Sequence, residues 1–550
     1  MKKLIENQRN RAQESTAAIE RIYITMRHLF IRGFYKPMGV SGKTLRESLL
    51  TLRPEIYGSI AESKVELNGL LYVIERLPLG IEECRYINLT SDEGYADSHF
   101  RTIIPLKRRR NCYRIDDEQM NIEITRGRSD IYDVLTHLTF LYIESHKIME
   151  NVVIDDGNNL TRDWDKLKQA TEKATLTEEE KEVAISHTAS VLGRTFLEVN
   201  NIYNKFATTE DEHRFLKIIY HMGKLALDEF IETEKRIITF SPILRERLGH
   251  HIHGEFWANN IKSVLKQKDF LNRELHIISA NMHSVMNTLY AKTALKDFCQ
   301  NKSDLEIYEA LSNNNNQNLR DKVMGYALQH GMTYIDDKSG ANIDVQIFDT
   351  DKLKPKTNAP IIIVMDYAFG EQAYETMDEL LKPFITNTQE PQYLNIDSIS
   401  VMGKAGILEG AKGDIMIPKA HLFEGTADNY PFTNELKQSD MIGHGLKVFD
   451  GTMVTVLGTS LQNRDLLKFF HDSTWNVIGL EMEGAHYQKA IQAAAKLRCN
   501  VKKNVKVRYA YYASDNPLET GSTLASGGLG TTGVKPTYLI TEKILEQVLN

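Results

Sequence analysis

Apolar positions along residues 1–312 recur at the spacing of helix faces, with few glycines among them. The clearest stretch is Ser129–Met149, where Ile131, Leu135, Leu138, Tyr142 and Met149 fall near a period of about 3.6 and Asp130 can join a capping turn. Asp211–Ile231 and Phe256–Tyr290 predict two further long amphipathic helices. Around Val65–Ile87 and Arg101–Ile124 the pattern is mixed, and short strands fit there. Ser312–Asn318 is polar, asparagine-rich and without apolar periodicity, which predicts a linker at 313–319. The expectation is a mainly α-helical domain over 1–312, then a second domain over 320–550.

In that second part the texture changes to short continuous apolar runs, as in buried parallel strands. Ile343–Phe348, Pro360–Met365, Ile396–Met402, Asp414–Pro418, Thr452–Leu457, Val477–Leu480 and Val505–Tyr512 predict strands. Helices are expected at about 372–381, from Tyr487 to Ala495 and from Pro536 to Leu549. Gly403-Lys404-Ala405-Gly406 is expected to be a glycine turn closing the strand Ile396–Met402. Strands alternating with helices make this an α/β domain with a mixed, mostly parallel sheet.

Composition narrows the class. Apolar content of 42% and charged content of 26% suit a globular protein, and a net charge of −7 argues against binding nucleic acid through its phosphates. Cys84, Cys112, Cys299 and Cys499 lie far apart without a CxxC pair, which fits neither a zinc framework nor a disulfide scaffold. The polar N-terminus and the lack of an 18-residue apolar span predict a cytoplasmic protein with no membrane partner.

The chemistry concentrates at Val477–Ala485, where a strand runs through Glu481, Met482 and Glu483 into a helix. Ligands of open α/β sheets sit where such strands end. Two carboxylates there need donors, which a vicinal diol supplies; a solvated turn with a charge at a helix N-terminus is the alternative. Lys107–Arg110 reads as a solvated basic face or an anion site. The histidines of the first half, His276 and His283 on one helix face among them, read as satisfied core or surface residues or as a metal site. Glu-x-x-His occurs there once, at Glu210–His213, and no metal is assigned.

Gly370 before a helix, Gly403–Gly406, Gly413–Pro418, Glu424–Thr426, Glu481–Glu483 and Ser514–Asp515 occur in one order. That set resembles the nucleoside phosphorylase and nucleosidase superfamily, with a likeness nearest to the AMP nucleosidases. Residues 1–312 lie outside it. The resemblance implies a three-layer sandwich, a purine nucleoside or nucleotide as substrate, a homo-oligomer, and no metal or organic cofactor. By it Glu483 would hold the ribose 2′- and 3′-hydroxyls, Met482 would pack under the sugar, and Asp515, oriented by Ser514, would protonate purine N7. Gly370, Gly403, Gly406 and Lys404 would line the substrate, with Lys404 either meeting an anionic group or standing as a loop lysine.

Val401 and Met402 occupy the stretch where phosphorylases carry a phosphate-binding arginine, so the expectation is hydrolysis rather than phosphorolysis. A phosphate-dependent phosphorylase and a catalytically inactive nucleotide sensor are the alternatives. Leu457–Gln462 lacks the arginine and ring found there in AMP nucleosidases. The family's first strand, which in some members delivers a water-activating glutamate, is not found in 320–350, and Glu371 and Glu481 are substitutes on chemistry. Thr520–Gly533 is either a lid or a plain loop.

Overall fold

A computed structural model describes all residues except 1, 109, 156–158, 232–233, 354–358, 386–389, 427, 520–528 and 550, and the side chains of 2–9. The chain divides into one unit of Met1–Ile124, Asp130–His250 and Gly458–Asn463, and a second of Thr125–Ser129, His251–Leu457 and Arg464–Asn550.

Helices make up most of the first unit's regular structure, and a sheet lies among them. Helices such as Lys2–Arg32, Arg214–Ile231 and the bulk of Gly127–Val152 are joined by a six-stranded sheet in the order Phe34–Tyr35, Ile237–Phe240, Tyr86–Thr90, Gln119–Glu123, Cys112–Arg114, Thr102–Ile103. Its strands are two to five residues long, too short to leave a clear alternation in the sequence. Arg108 and Arg110 of the basic cluster are neither a solvated face nor an open anion site. Both guanidiniums bond Asp133, and Arg110 also bonds Asp130.

The second unit carries the strands β1 (Leu275–Ser279), β2 (Met332–Ile335), β3 (Val345–Asp349), β4 (Ile361–Met365), β5 (Ile396–Ile407), β6 (Ile415–Phe423), β7 (Asn429–Pro431), β8 (Val448–Thr455), β9 (Val477–Glu481) and β10 (Lys506–Asp515). They form one sheet in the order β2-β3-β4-β1-β5-β9-β8-β6-β7, with β10 against β5 and β6. Five of them close a ring: β5 runs parallel to β10, β10 antiparallel to β6, β6 parallel to β8, β8 parallel to β9, and β9 antiparallel to β5. The sheet is mixed, and its antiparallel pairings are as much part of it as the parallel ones.

Alternation along the strands feeds two separate cores. Ile361, Ile363 and Met365 face a cluster with Trp257, Ile261, Met377 and Ile491, while Ile362 and Val364 face another with Val285, Tyr290, Val323 and Ile540. Both faces of the strand are buried, which is why its sequence reads as an unbroken apolar run.

Two expectations are corrected. The asparagine-rich 313–319 is no domain boundary; it joins helices Asp304–Ser312 and Gln317–Gln329 inside the second unit. Asn316 Nδ2 donates to the Ala310 carbonyl, and the Arg320 guanidinium gathers the carbonyls of Leu311, Asn313 and Asn314, so local hydrogen bonds turn a polar run into a tight connection. Phe256–Tyr290 is not one helix but helix Ile252–Gln267, strand β1 and helix Met282–Ala294. His276 therefore lies on a strand and His283 on a helix.

Candidate active site

β6, β8 and β9 run parallel and end together, with Phe423 opposite Thr455 and Thr455 opposite Glu481. The chain then passes through Met482 and Glu483 into helix α1 (Gly484–Gln492). Glu481 is buried, and its carboxylate accepts from the Thr455 hydroxyl and from the amides of Glu483 and Gly484. Thr455 Oγ1 in turn accepts from the Ala485 amide at 2.9 Å. Burial, with Glu483 close by, pushes Glu481 up to about 8 against those hydrogen bonds. Its oxygens are committed to fastening the helix start to the strand end.

Glu483 is placed differently. It is half-buried, with Oε1 2.9 Å from the Gly370 amide and Oε2 3.3 Å from the Met482 amide. Burial moves it up to about 7. Gly370 sits in the turn after β4 at φ +55°, and a Cβ there would stand 2.6 Å from Ser129 Cβ and 3.8 Å from Met482 Cε. Only glycine presents its amide to Glu483 from so tight a turn. Met482 is half-buried beside it.

Asp515 ends β10 and is 2% exposed. Ser514 Oγ lies 2.6 Å from its Oδ1 and 3.1 Å from the Ala405 carbonyl, while Oδ2 has no partner among the described residues. Burial raises its pKa above the ordinary aspartate value, against Ser514 and the charges of Lys412 and Lys404. A buried carboxyl with one unpaired oxygen is a proton donor wanting an acceptor.

The expected glycine turn at Gly403–Gly406 is a correction. β5 continues through it to Ile407, with Gly403, Lys404, Ala405 and Gly406 paired to Tyr511, Tyr512, Ala513 and Asp515 of β10. A flanking strand supplies the hydrogen bonds that glycine alone does not favour. The register shifts between Ala405 and Gly406, which leaves Ser514 as the extra residue beside Asp515. Lys404 stands exposed on that strand rather than in a phosphate-cradling loop.

Glu424, one residue beyond β6, is also buried; Oε2 accepts from the Leu457 amide at 3.3 Å, and Oε1 has no partner among the described residues. Burial pushes it up to about 8. Glu371 is bound by Arg128 at 3.2 Å, and its amide donates to Ser129 Oγ at 2.8 Å. The Arg126 guanidinium lies 4.9 Å above the Phe369 ring. Thr455, Ser129, Arg126 and Arg128 were not anticipated. A sequence separation of more than 240 residues between Ser129 and Glu371 leaves no local signal for that contact.

Glu274, His276 and Asp397 bring one ligand atom each within 4.8 Å of one another at the N-terminal ends of β1 and β5. The ammonium groups of Lys502 and Lys506, 3.3 and 3.0 Å from Asp397, already supply the positive charge there. His213 is bonded to the Tyr203 hydroxyl at 3.0 Å. Residues 520–528 of the expected lid lie outside the described residues, and Gly530–Gly533 is a short 3-10 helix. No described helix is long and apolar enough to cross a membrane.

A protein-family model described as a family of unknown function, DUF6909, matches residues 43–327 and 306–550. No curated protein matches the chain. Among solved structures, the futalosine hydrolase of Helicobacter pylori strain 26695 is similar at 11% identity and a TM-score of 0.30, over 50% of this chain and 98% of that one. The 5'-methylthioadenosine/S-adenosyl homocysteine nucleosidase of Campylobacter jejuni is similar at 13% identity and a TM-score of 0.30, over 50% and 98%. The corresponding enzyme of Neisseria meningitidis, in complex with methylthio-immucillin-A, is similar at 12% identity and a TM-score of 0.30, over 50% and 99%.

Proposed function

The chain belongs to the DUF6909 family, a family of unknown function, and we propose that its second unit hydrolyses the N-glycosidic bond of a purine nucleoside or nucleotide, AMP among the candidates. The observation that carries this reading is Asp515, 2% exposed, with Oδ2 unpartnered among the described residues and its pKa raised by burial. The proton on Asp515 passes to purine N7 as the C1′–N9 bond breaks, and the bonding pair leaves with the base. Glu483, held by the Gly370 amide, accepts from the ribose 2′- and 3′-hydroxyls and favours the positive charge that develops on the sugar. Water adds to C1′ and loses a proton, giving ribose or ribose 5-phosphate. A homo-oligomer in the cytoplasm is part of the same reading.

A second reading is favoured by one observation. Both candidate water-activating acids are engaged, Glu481 by Thr455, Glu483 and Gly484, and Glu371 by Arg128. A site that binds a nucleotide without cutting it, a sensor, fits that arrangement.

The test is chromatography of full-length protein incubated with adenosine, AMP, inosine and guanosine, with and without phosphate. The expected result is free base without added phosphate, and a rate about a hundredfold lower or less still in Asp515→Asn. Release that requires phosphate makes it a phosphorylase. No release from any of the four, with nucleotide-dependent thermal stabilisation, makes it a sensor.

A further inference from the structure

The starts of β1 and β5 lie side by side, Leu275 opposite Ile396 and His276 opposite Ser398. Asp397 falls between those two pairs as the extra residue of a bulge. Regular alternation would send Asp397 and Ser398 to opposite faces of the sheet, whereas a bulge re-aims the extra side chain. Glu274 comes one residue before β1 and, two positions from His276, shares its face. One ligand atom from each of Glu274, His276 and Asp397 thereby falls within 4.8 Å of the others.

The histidine sets this group apart from an ordinary cluster of surface acids. His276 is 3% exposed, its Nδ1 lies 2.7 Å from Ser398 Oγ, and its Nε2 has no hydrogen-bond partner among the described residues. Nε2 stands 3.2 Å from Glu274 Oε1, without the alignment of a hydrogen bond. Two ligand atoms, each about 2.0–2.1 Å from a tetrahedral zinc ion, are about 3.3–3.4 Å from one another, so that pair is already at coordination spacing. A metal-bound imidazole keeps its other N–H on an oxygen acceptor, and Ser398 Oγ is placed to be that acceptor. The Glu274 side chain is 47% exposed, which opens the group to solvent.

We infer that Glu274, His276 and Asp397 form a binding site for a divalent transition-metal ion of the zinc type, with water completing its coordination. One imidazole and two carboxylates suit such an ion better than Mg²⁺, which keeps to oxygen ligands. Lys502 and Lys506 compete with the ion for Asp397, at 3.3 and 3.0 Å. Their side chains are 48% and 52% exposed, so releasing the carboxylate to an ion costs little. Arg508, the other cation facing His276, is held by Gln547 Oε1 at 2.7 Å. Asp515 is paired with Gly406, roughly 30 Å along β5 from the start of that strand at about 3.3 Å per residue. The ion is therefore a clamp on the starts of two interior strands, and it stands independently of the nucleosidase reading.

The experiment treats full-length protein with a chelator, exchanges it into metal-free buffer near neutral pH and titrates it with Zn²⁺ by calorimetry, with Mg²⁺ as the control ion. The melting temperature is read with and without each ion. Wild type is expected to bind Zn²⁺ saturably and to melt higher with it, and to do neither with Mg²⁺. Glu274→Gln, Asp397→Asn and His276→Ala should each weaken Zn²⁺ binding by more than about tenfold and remove the rise in melting temperature, and Ser398→Ala should weaken it by about tenfold. Replacing Lys502 and Lys506 together by alanine removes the competitors and should tighten it. Glu274→Gln, at a half-exposed side chain, decides the matter should His276→Ala fail to fold. No saturable Zn²⁺ binding by wild type, or binding indifferent to both Glu274→Gln and Asp397→Asn, overturns the site. Equal binding of Mg²⁺ overturns the transition-metal assignment. Weaker Zn²⁺ binding in the double lysine variant overturns the competition for Asp397.

Discussion

Two buried clusters neutralise their acids in opposite ways, the Asp130–Asp133 group of the first unit and the strand edge of the second. In the first unit almost every buried acid has a base. Asp133 takes a two-point contact from Arg108 at 3.0 and 3.2 Å and a further bond from Arg110, which also holds Asp130 at 2.8 Å. Lys147 sits 2.9 Å from Glu144, and Arg236 sits 2.6 Å from Glu229. Two guanidiniums hold Asp133 well below the usual carboxylate range despite its burial. At the strand edge of the second unit, Glu424 and Glu481 meet hydroxyls and amides but no cation, and both rise to about 8. Paired charges fix an architecture. Acids left without cations stay protonated near neutrality, and a protonated acid in reach of a leaving group is a catalyst rather than a brace.

The largest expected effect removes one brace. Arg110→Ala leaves Asp130 and Asp133 short of a cation at a site whose side chains are 1–8% exposed, and a loss of about 3–5 kcal/mol in denaturant unfolding is expected. A loss below about 1 kcal/mol would mean that Arg108 alone carries Asp133, and that the first unit's pairing is redundant rather than structural.

The opposite outcome is expected at the other acid type. Glu424→Gln replaces a carboxyl protonated at neutral pH with an uncharged group of the same shape, so stability at pH 7 should stay within about 1 kcal/mol. A loss as large as that of Arg110→Ala would show that Glu424 is ionised in the fold and paired with a cation.

The same contrast explains what the sequence disclosed. The strand and helix around Glu481–Glu483 were legible because an apolar run, two acids and small residues are contiguous, and the strand does end at Glu481 with the helix starting at Gly484. β1 was hidden, since Leu275–Ser279 is a five-residue run between two helices and continues their apolar spacing. Gly403–Gly406 looked like a turn because glycine weakens a strand; pairing with β10, a hundred residues later, and with β9 at Gly406 keeps it extended. The arginines at 126 and 128 carried no local sign of their place on the Gly370 turn. Chemistry written along the chain could be read, whereas chemistry assembled across it needed the fold.

The smallest effect is a pair of opposed pH slopes. Burial raises Glu375, Glu424 and Glu481 from 4.5 to about 8 in the second unit. Between those values the folded unit binds more protons than the unfolded chain, so its stability falls as pH rises through that window. Asp133 in the first unit is shifted the other way, below 3.8, so its contribution is present above that value and is lost as pH falls through the lower folded pKa. Hydrogen exchange by peptide, corrected for the intrinsic pH dependence of exchange, should show second-unit strands protected more at pH 5 than at pH 8. First-unit peptides around Asp133 should lose protection below about pH 4. Glu424→Gln should flatten the second-unit slope without moving the first. A flat second-unit profile between pH 5 and pH 8 would mean that Glu375, Glu424 and Glu481 are neutralised in the folded protein after all.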